Sequence, residues 1–150
     1  DMAEKQKFHI EYLVKASLEM LYQYISTASG LAEWFCDAAS SKGNQFTFVW
    51  AGSEEQATLI ARREDSLVRF RWAADEGEKY YFEIRLEQDE LTGDVAMTIT
   101  DFAYPGEVDE MRQMWNNSVV ECNFRYFRIW KKISEYIGSC NIHKRIHMLL

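Results

Sequence analysis

Three side chains towards the end of the chain have types and spacing that suit a metal site. His143 and His147 are four residues apart, and Cys140 lies three residues before His143. On a helix this spacing places a thiol and two imidazoles on one side, where they could bind zinc or nickel. No fourth ligand is apparent in the sequence. An exposed basic tail is the favoured interpretation, and we expect no metal.

The common catalytic arrangements are not evident elsewhere. The 7 glycines are too widely spaced for a Gly-rich phosphate loop. His9 alternates with apolar neighbours, so we expect it on the surface rather than in a Ser-His-Asp triad. Cys36 precedes Asp37, whose charge opposes formation of a reactive thiolate. The carboxylates of residues 89–94 lack EF-hand spacing and indicate a hairpin turn. We therefore predict no catalytic residues and no cofactor.

A face of large apolar side chains is the more informative pattern. Aromatic residues make up 15% of the chain and recur at every second position of several segments. As a packed core they need no ligand. As the wall of a pocket they suit a flat or chain-like apolar molecule, because methionine is deformable and aromatic rings are largely apolar. On the second predicted helix, Phe35 lies on the same apolar face as Trp34. The candidate ligand-binding residues are Trp34, Phe48, Phe70, Trp72, Tyr80, Phe82, Met97, Met111 and Trp115.

Periodicity predicts the elements that must position these residues. Residues 7–14 alternate between apolar and polar side chains, which indicates a strand. Ser17 and Ser29 each precede helical spacing and predict two short capped helices. Period-two segments with short polar connections then predict five or six antiparallel strands. From residue 107 to residue 137 apolar positions advance by three or four, which predicts one long helix ending at Gly138.

These elements predict an α+β domain rather than an α/β domain, because consecutive hairpins build an antiparallel meander. The aromatic face of that sheet must be covered, and the long C-terminal helix is the element large enough to cover it. The opposite face carries Arg69, Glu83 and Arg85, which we expect to form a cross-strand charge ladder. We predict one domain over residues 7–137 and a basic tail over residues 138–150.

Charge and composition exclude several classes of protein. Residues 1–121 carry a formal net charge of −12 and residues 122–150 one of +5. The acidic body argues against nucleic-acid binding, which requires a cationic face. No apolar run is long enough for a membrane span. The first residues contain no apolar secretion signal, and the 3 cysteines are odd in number and widely spaced, so we expect a cytoplasmic location.

Several segments resemble the START-like, or SRPBCC, superfamily. ASLEMLYQYISTASGLAEWF (residues 16–35) resembles its N-terminal signature, and FTFVW, VRFRW and LTGDVAMTITDFA fit its later strands. The resemblance is greatest to the bacterial single-domain branch related to the activator of heat-shock protein 90 ATPase. It implies the helix-grip fold, in which a curved antiparallel sheet wraps around a long C-terminal α-helix, with two short helices after strand one. The branch carries no invariant catalytic set.

The resemblance and the aromatic face together favour non-enzymatic binding of an apolar small molecule or lipid between the sheet and the C-terminal helix. The alternative is a co-chaperone-like module that interacts with a chaperone partner. A cyclase-type enzyme is a third hypothesis, but it needs a titratable group within the apolar face. Alternation places only Tyr80 there.

The last part of the predicted helix indicates a homodimer. A helix over residues 107–137 would be about 46 Å long, whereas a domain of this size is about 38 Å across. Its overhanging half would expose a large apolar surface. We expect this segment, residues 124–137, to pack on a second copy, unless it wraps its own domain. Its large apolar residues are Phe124, Tyr126, Phe127, Ile129, Trp130, Ile133, Tyr136 and Ile137.

Overall fold

The structure is a computed structural model that describes residues 4–122 and 128–132. These described residues form eight strands and three α-helices, and the first two α-helices directly follow the first strand. Alternation of apolar and polar residues accounts for most of the strands. The elements are β1 (Gln6–Lys15), α1 (Leu18–Ser26), α2 (Ala28–Trp34), β2 (Ala38–Lys42), β3 (Gln45–Trp50), β4 (Ser53–Arg63), β5 (Leu67–Trp72), β6 (Phe82–Gln88), β7 (Val95–Ala103), α3 (Val108–Asn116) and β8 (Arg128–Lys132).

The strands form one antiparallel sheet in the order β2-β3-β4-β5-β6-β7-β1-β8. Strands β2 to β7 form a meander of consecutive hairpins, and β1 pairs with β7 so that Gln6 lies opposite Ala103. The helices α1, α2 and α3 cover one face of this sheet. The predicted α+β helix-grip fold is therefore confirmed.

The two short helices begin at residues that can bind their free backbone N–H groups. Ser17 precedes α1, and its side chain accepts a hydrogen bond from the backbone N–H of Met20 at 3.2 Å. The cap of α2 is Thr27, whose Oγ1 accepts from the backbone N–H of Gly30 at 2.9 Å. The cap predicted at Ser29 was wrong by two residues, since Ser29 lies within the first turn. A threonine hydroxyl and a serine hydroxyl can each accept a hydrogen bond from a free backbone N–H at the start of a helix.

The outer face of the sheet carries the predicted charge ladder. Glu83 is 5% exposed, and its carboxylate lies 2.7 Å from Nη2 of Arg69 and 3.3 Å from Nε of Arg85. Arg69 and Glu83 are direct cross-strand partners, which is the geometry that favours opposite charges. His9 is also on this face, where its Nδ1 lies 2.9 Å from the hydroxyl of Thr100. The surface position predicted for His9 is confirmed.

The long helix predicted over residues 107–137 is wrong in its second half. The α-helix α3 ends at Asn116, a π-helical turn continues to Cys122, and residues 128–132 form strand β8. This strand pairs with the edge of β1, with Lys132 opposite Tyr12 and Arg128 opposite Lys15. Unpaired backbone groups of an edge strand favour such pairing, and local apolar spacing does not contain that tertiary information. Residues 128–132 therefore do not belong to the overhanging helix from which the homodimer was predicted.

Parts of the C-terminal predictions lie outside the described residues. These are the tail over residues 138–150, with its Cys140, His143 and His147, and most of the segment over residues 124–137. Within the described part of the chain, no helix has the length and hydropathy needed to cross a bilayer.

Candidate functional site

Nine aromatic side chains pack together on the inner face of the sheet, and we call them the inner aromatic cluster. They come from three strands of the meander, namely β3, β5 and β6, and from the C-terminal ends of α2 and α3. Phe35 lies at the centre, with its ring centroid 5.1 Å from Phe48, 5.1 Å from Trp50 and 5.3 Å from Trp115. The members are Trp34, Phe35, Phe46, Phe48, Trp50, Phe70, Trp72, Phe82 and Trp115.

The structure brings together eight of the nine residues predicted to bind a ligand. Six of them are buried between sheet and helices, namely Trp34, Phe48, Phe70, Phe82, Met97 and Trp115. Trp72 and Met111 are half-buried and pack against this core. Alternation along each strand is sufficient to place these side chains on one face.

The exception is Tyr80, which lies outside the inner aromatic cluster. Its ring is 5.2 Å from the ring of Phe102, and its hydroxyl accepts a hydrogen bond from the backbone N–H of Lys5. Phe102 occupies the outer face of β7, between the inward-facing Asp101 and Ala103. Strand β6 begins only at Phe82, so its alternation does not extend back to Tyr80. The prediction that Tyr80 faces the site was therefore wrong.

One end of the cluster is open to solvent. Trp50 and Trp72 are the last residues of β3 and β5, their ring centroids are 5.9 Å apart, and both are half-buried. The helix α3 begins at this same end of the sheet, and Met111 in its first turns is also half-buried. Two half-buried indoles and a half-buried, flexible thioether beside a buried aromatic core form an apolar surface, which suits small apolar molecules.

A tight turn holds Trp50 at this end. Ala51 and Gly52 have φ values of 50° and 81°, as a two-residue type I′ hairpin requires. The carboxylate of Asp37 accepts a hydrogen bond from the backbone N–H of Ala51 at 2.7 Å, which stabilises the unusual conformation of this alanine. The indole of Trp50 then donates to the carbonyl oxygen of Phe35 at 2.9 Å. The hydrogen bond to Phe35 and the turn at Ala51 and Gly52 together determine the orientation of the Trp50 ring.

A buried carboxylate lies against the cluster, and sequence analysis did not identify it. Asp101 is 6% exposed, and its Oδ2 accepts a 2.8 Å hydrogen bond from the indole N–H of Trp115. Burial raises the pKa of Asp101 to about 6, although the hydrogen bond from Trp115 acts in the opposite direction. The signal was present in the sequence, because Val95, Met97 and Ile99 alternate in β7 and the next inward position is Asp101.

Asn116, the residue after Trp115, makes a second polar contact between α3 and the sheet. The hydroxyl of Tyr12 donates a hydrogen bond to Oδ1 of Asn116, and both side chains are buried. Buried polar groups of this kind are costly unless they are paired. Trp115 and Asn116 therefore fasten the end of α3 to β7 and β1 at two adjacent points.

The thiol of Cys36 is not suited to nucleophilic chemistry. It is buried, and burial raises its pKa to about 11, with a smaller contribution from the neighbouring charge of Asp37. A thiol that stays protonated is a poor nucleophile, as the sequence predicted for this position. Within residues 4–122 and 128–132, His, Cys, Asp and Glu side chains do not gather into a group that could hold a metal ion.

Comparison with known proteins identifies similar domains. The family model for the START-like superfamily domain matches residues 2–124 of the chain. No curated protein sequence matches it.

Several solved structures have the same architecture. A Bacteroides fragilis protein solved by NMR is 39% identical, with a TM-score of 0.61, over 78% of this chain and 88% of that one. The Aha1 dimer from Colwellia psychrerythraea is 20% identical, with a TM-score of 0.59, over 72% of this chain and 84% of that one. A Bacillus halodurans protein is 17% identical, with a TM-score of 0.63, over 78% of this chain and 94% of that one. The last two similarities establish the fold alone.

Proposed function

Because the chain belongs to the START-like superfamily, we propose that it is a non-enzymatic binding protein for a hydrophobic small molecule or lipid. The ligand lies between the sheet and α3, at the open end of the inner aromatic cluster. The observation that carries this proposal is the pair of half-buried indoles, Trp50 and Trp72, beside the buried ring of Phe35. Large apolar side chains that stay in contact with solvent beside a buried aromatic core are typical of a surface that binds apolar molecules.

The hydrogen bonding of the indoles supports an apolar ligand. Trp34, Trp50 and Trp115 donate their N–H groups to the carbonyl of Tyr24, the carbonyl of Phe35 and the carboxylate of Asp101. At the open end, the N–H donor of Trp50 is therefore already used inside the protein and does not require a polar partner from the ligand. The proposed contact residues are the eight predicted residues that lie together on the inner face, namely Trp34, Phe48, Phe70, Trp72, Phe82, Met97, Met111 and Trp115.

The proposal is tested by titrating the full chain with N-phenyl-1-naphthylamine, a neutral apolar fluorophore. We expect saturable binding of one molecule per chain. Trp72→Ala should weaken that binding at least about fivefold, because a ring at the open end is lost. Tyr81→Ala is the matched control, since Tyr81 is also half-buried but packs on Phe102 and Arg69 at the outer face.

Mass spectrometry of the protein under native conditions provides an independent test. We expect an apolar molecule to copurify with the wild-type chain and to be depleted in Trp72→Ala. Failure of the wild-type chain to bind the fluorophore saturably, together with no copurified molecule, would contradict a binding function.

The alternative function is a co-chaperone-like interaction module. It is favoured by two exposed methionines on the helices, Met20 at 52% and Met114 at 56% exposure, because exposed apolar side chains often contact partner proteins. A bacterial heat-shock protein 90 is the partner to test by calorimetry. A complex that is weakened by Met114→Ala and unaffected by Trp72→Ala would favour this alternative over ligand binding.

Two further features belong to this proposal. We propose that the chain forms a homodimer through residues 124–137, with its basic residues facing the acidic body of the second copy. This proposal rests on the apolar residues of the segment and not on an overhanging helix, because residues 128–132 pair with β1 of the same chain. We also propose a cytoplasmic location, because the buried Cys36 is a free thiol and free thiols persist in reducing compartments.

A further inference from the structure

Asp101 is a carboxylate buried within an otherwise apolar surface. It is 6% exposed, and the two donors that reach it are neutral. The indole N–H of Trp115 reaches Oδ2 at 2.8 Å, and the backbone N–H of Phe102 reaches Oδ1 at 2.7 Å. An ionised carboxylate offers about four lone-pair positions, so the group retains capacity to accept further hydrogen bonds.

Lys5, whose charge acts on Asp101, and Arg112, which lies over a cross-strand neighbour of Asp101, both contact other groups. Lys5 forms an ion pair with Asp75 at 3.1 Å, and the guanidinium of Arg112 lies over the ring of Phe8, the cross-strand neighbour of Asp101, at 5.1 Å. None of the ion pairs found within residues 4–122 includes Asp101. A buried charge without an opposite charge is costly, so a cation placed beside it would be strongly favoured.

We propose that Asp101 is the polar anchor of the binding site and that the ligand is an apolar molecule carrying a protonated amine. This inference rests on the proposed binding function and names the chemical class of the ligand. The apolar part of the molecule contacts the inner aromatic cluster, and the ammonium group lies beside the carboxylate next to Trp115. The ring of Trp115, 5.6 Å from that of Phe82, connects this carboxylate to the inner aromatic cluster through its N–H hydrogen bond to Oδ2.

Other head groups match this position less well. A fatty acid would place a second carboxylate beside Asp101, and like charges at short range repel. An alcohol can donate a hydrogen bond but does not neutralise the charge. An ammonium does both, and charge-assisted hydrogen bonds are about twice as strong as neutral ones.

The test compares three probes of equal chain length, namely decylamine, decanol and decanoic acid, by quenching of tryptophan fluorescence at about pH 8. We expect the amine to bind the wild-type chain at least about tenfold more tightly than the alcohol, and the acid to bind most weakly. Asp101→Asn should reduce the preference for the amine to less than about twofold. Glu90→Gln is the matched control, because it removes the same charge from an exposed site and should keep the preference.

A pH series on the wild-type chain tests the same idea without a substitution. The pKa of Asp101 is raised to about 6, with opposing effects from the charges of Lys5 and Asp75, whereas an alkylamine stays protonated throughout. The preference for the amine should therefore disappear as the pH falls below about 6.

Two results would overturn the anchor while leaving the binding function intact. One is equal binding of amine and alcohol by the wild-type chain. The other is a preference that survives both in Asp101→Asn and at low pH. Failure of all three probes to bind would instead overturn the binding function, and the anchor with it.

Discussion

Gly30 of α2 lies directly against the carbonyl oxygen of Gln23 in α1. A Cβ atom at Gly30 would be 2.2 Å from that oxygen and 2.7 Å from Cα of Tyr24, and both distances are far shorter than a van der Waals contact. The two short helices therefore approach each other backbone to backbone. Their packing positions Trp34 and Phe35 at the end of α2, and so the helical side of the inner aromatic cluster depends on this glycine.

Gly30→Ala is expected to destabilise the protein by about 2–3 kcal/mol, even though alanine is the better helix former. The added methyl group meets backbone atoms, which cannot move as a flexible side chain would. Urea denaturation measures the change. Gly106→Ala serves as control, because nothing lies within 4 Å of its added Cβ. Equal stability of the two variants would contradict the close packing.

Trp115→Ala is expected to cost about 3–5 kcal/mol of unfolding free energy, as is typical for a large buried side chain. Trp115 is 6% exposed, contacts three aromatic rings and hydrogen-bonds to Asp101. Thermal and urea denaturation check the value against Met114→Ala, whose exposed side chain should contribute less than about 0.5 kcal/mol. A loss as small as the control would indicate that the ring lines a space instead of filling the core.

The buried carboxylate of Asp101 predicts a specific dependence of stability on pH. Burial raises its pKa to about 6 in the folded chain from the ordinary value of 3.8, so between these pH values the folded state keeps a proton that the unfolded state releases. Stability from this group is therefore present at about pH 4 and is lost as the pH rises through about 6, by roughly 3 kcal/mol.

Asp101→Asn isolates this contribution, because asparagine stays neutral. Relative to wild type, the variant should become progressively more stable between about pH 4 and about pH 6.5, and the difference should then level off. Urea midpoints across this range provide the measurement. A difference between the two proteins that does not change with pH would show that Asp101 titrates normally.

Cys36 should resist alkylation in the folded protein. Burial keeps its thiol protonated, with a pKa of about 11, and only the thiolate reacts. A Cys122→Ser, Cys140→Ser variant leaves this thiol alone, and mass spectrometry after treatment with iodoacetamide at about pH 8 follows it. We expect no product in the time that the urea-unfolded chain needs for complete reaction. Reaction at the same rate in both states would contradict the prediction.

Light scattering tests the proposed homodimer. The full chain at tens of micromolar should have the mass of a dimer, and a chain ending at Asn123 should be a monomer, because the proposed interface lies within residues 124–137. A monomeric full chain, or a truncated chain that stays dimeric, would be incompatible with this interface.

Much of the sheet could be predicted because alternation is a local signal. Phe48, Phe70 and Phe82 face inward and Arg69 and Glu83 face outward as their positions in each strand require. The same rule extends to Asp101, which follows the inward-facing Ile99 by two positions. A polar residue at such a position is informative, since it indicates a buried group with a special environment.

The C-terminal region could not be predicted from local spacing. Apolar residues continue at intervals of three and four well beyond Asn116, yet Arg128–Lys132 pairs with β1. An edge strand more than a hundred positions earlier in the chain provides the partner, and helical periodicity cannot detect it. Tyr80 was misplaced for a related reason, because a strand boundary at Phe82 interrupts the pattern.

The pairing of β1 with β7 has a consequence for synthesis and folding. Gln6 lies opposite Ala103 and Val14 opposite Val95, so β1 leaves the ribosome well before β7, the last strand of the meander, with which it pairs. During that interval the apolar side chains of β1 lack their neighbours in the sheet. Closing so long a loop is slow compared with forming a hairpin. The early part of the nascent chain therefore depends on α1 and α2, which can form locally, to shield it until translation passes residue 103.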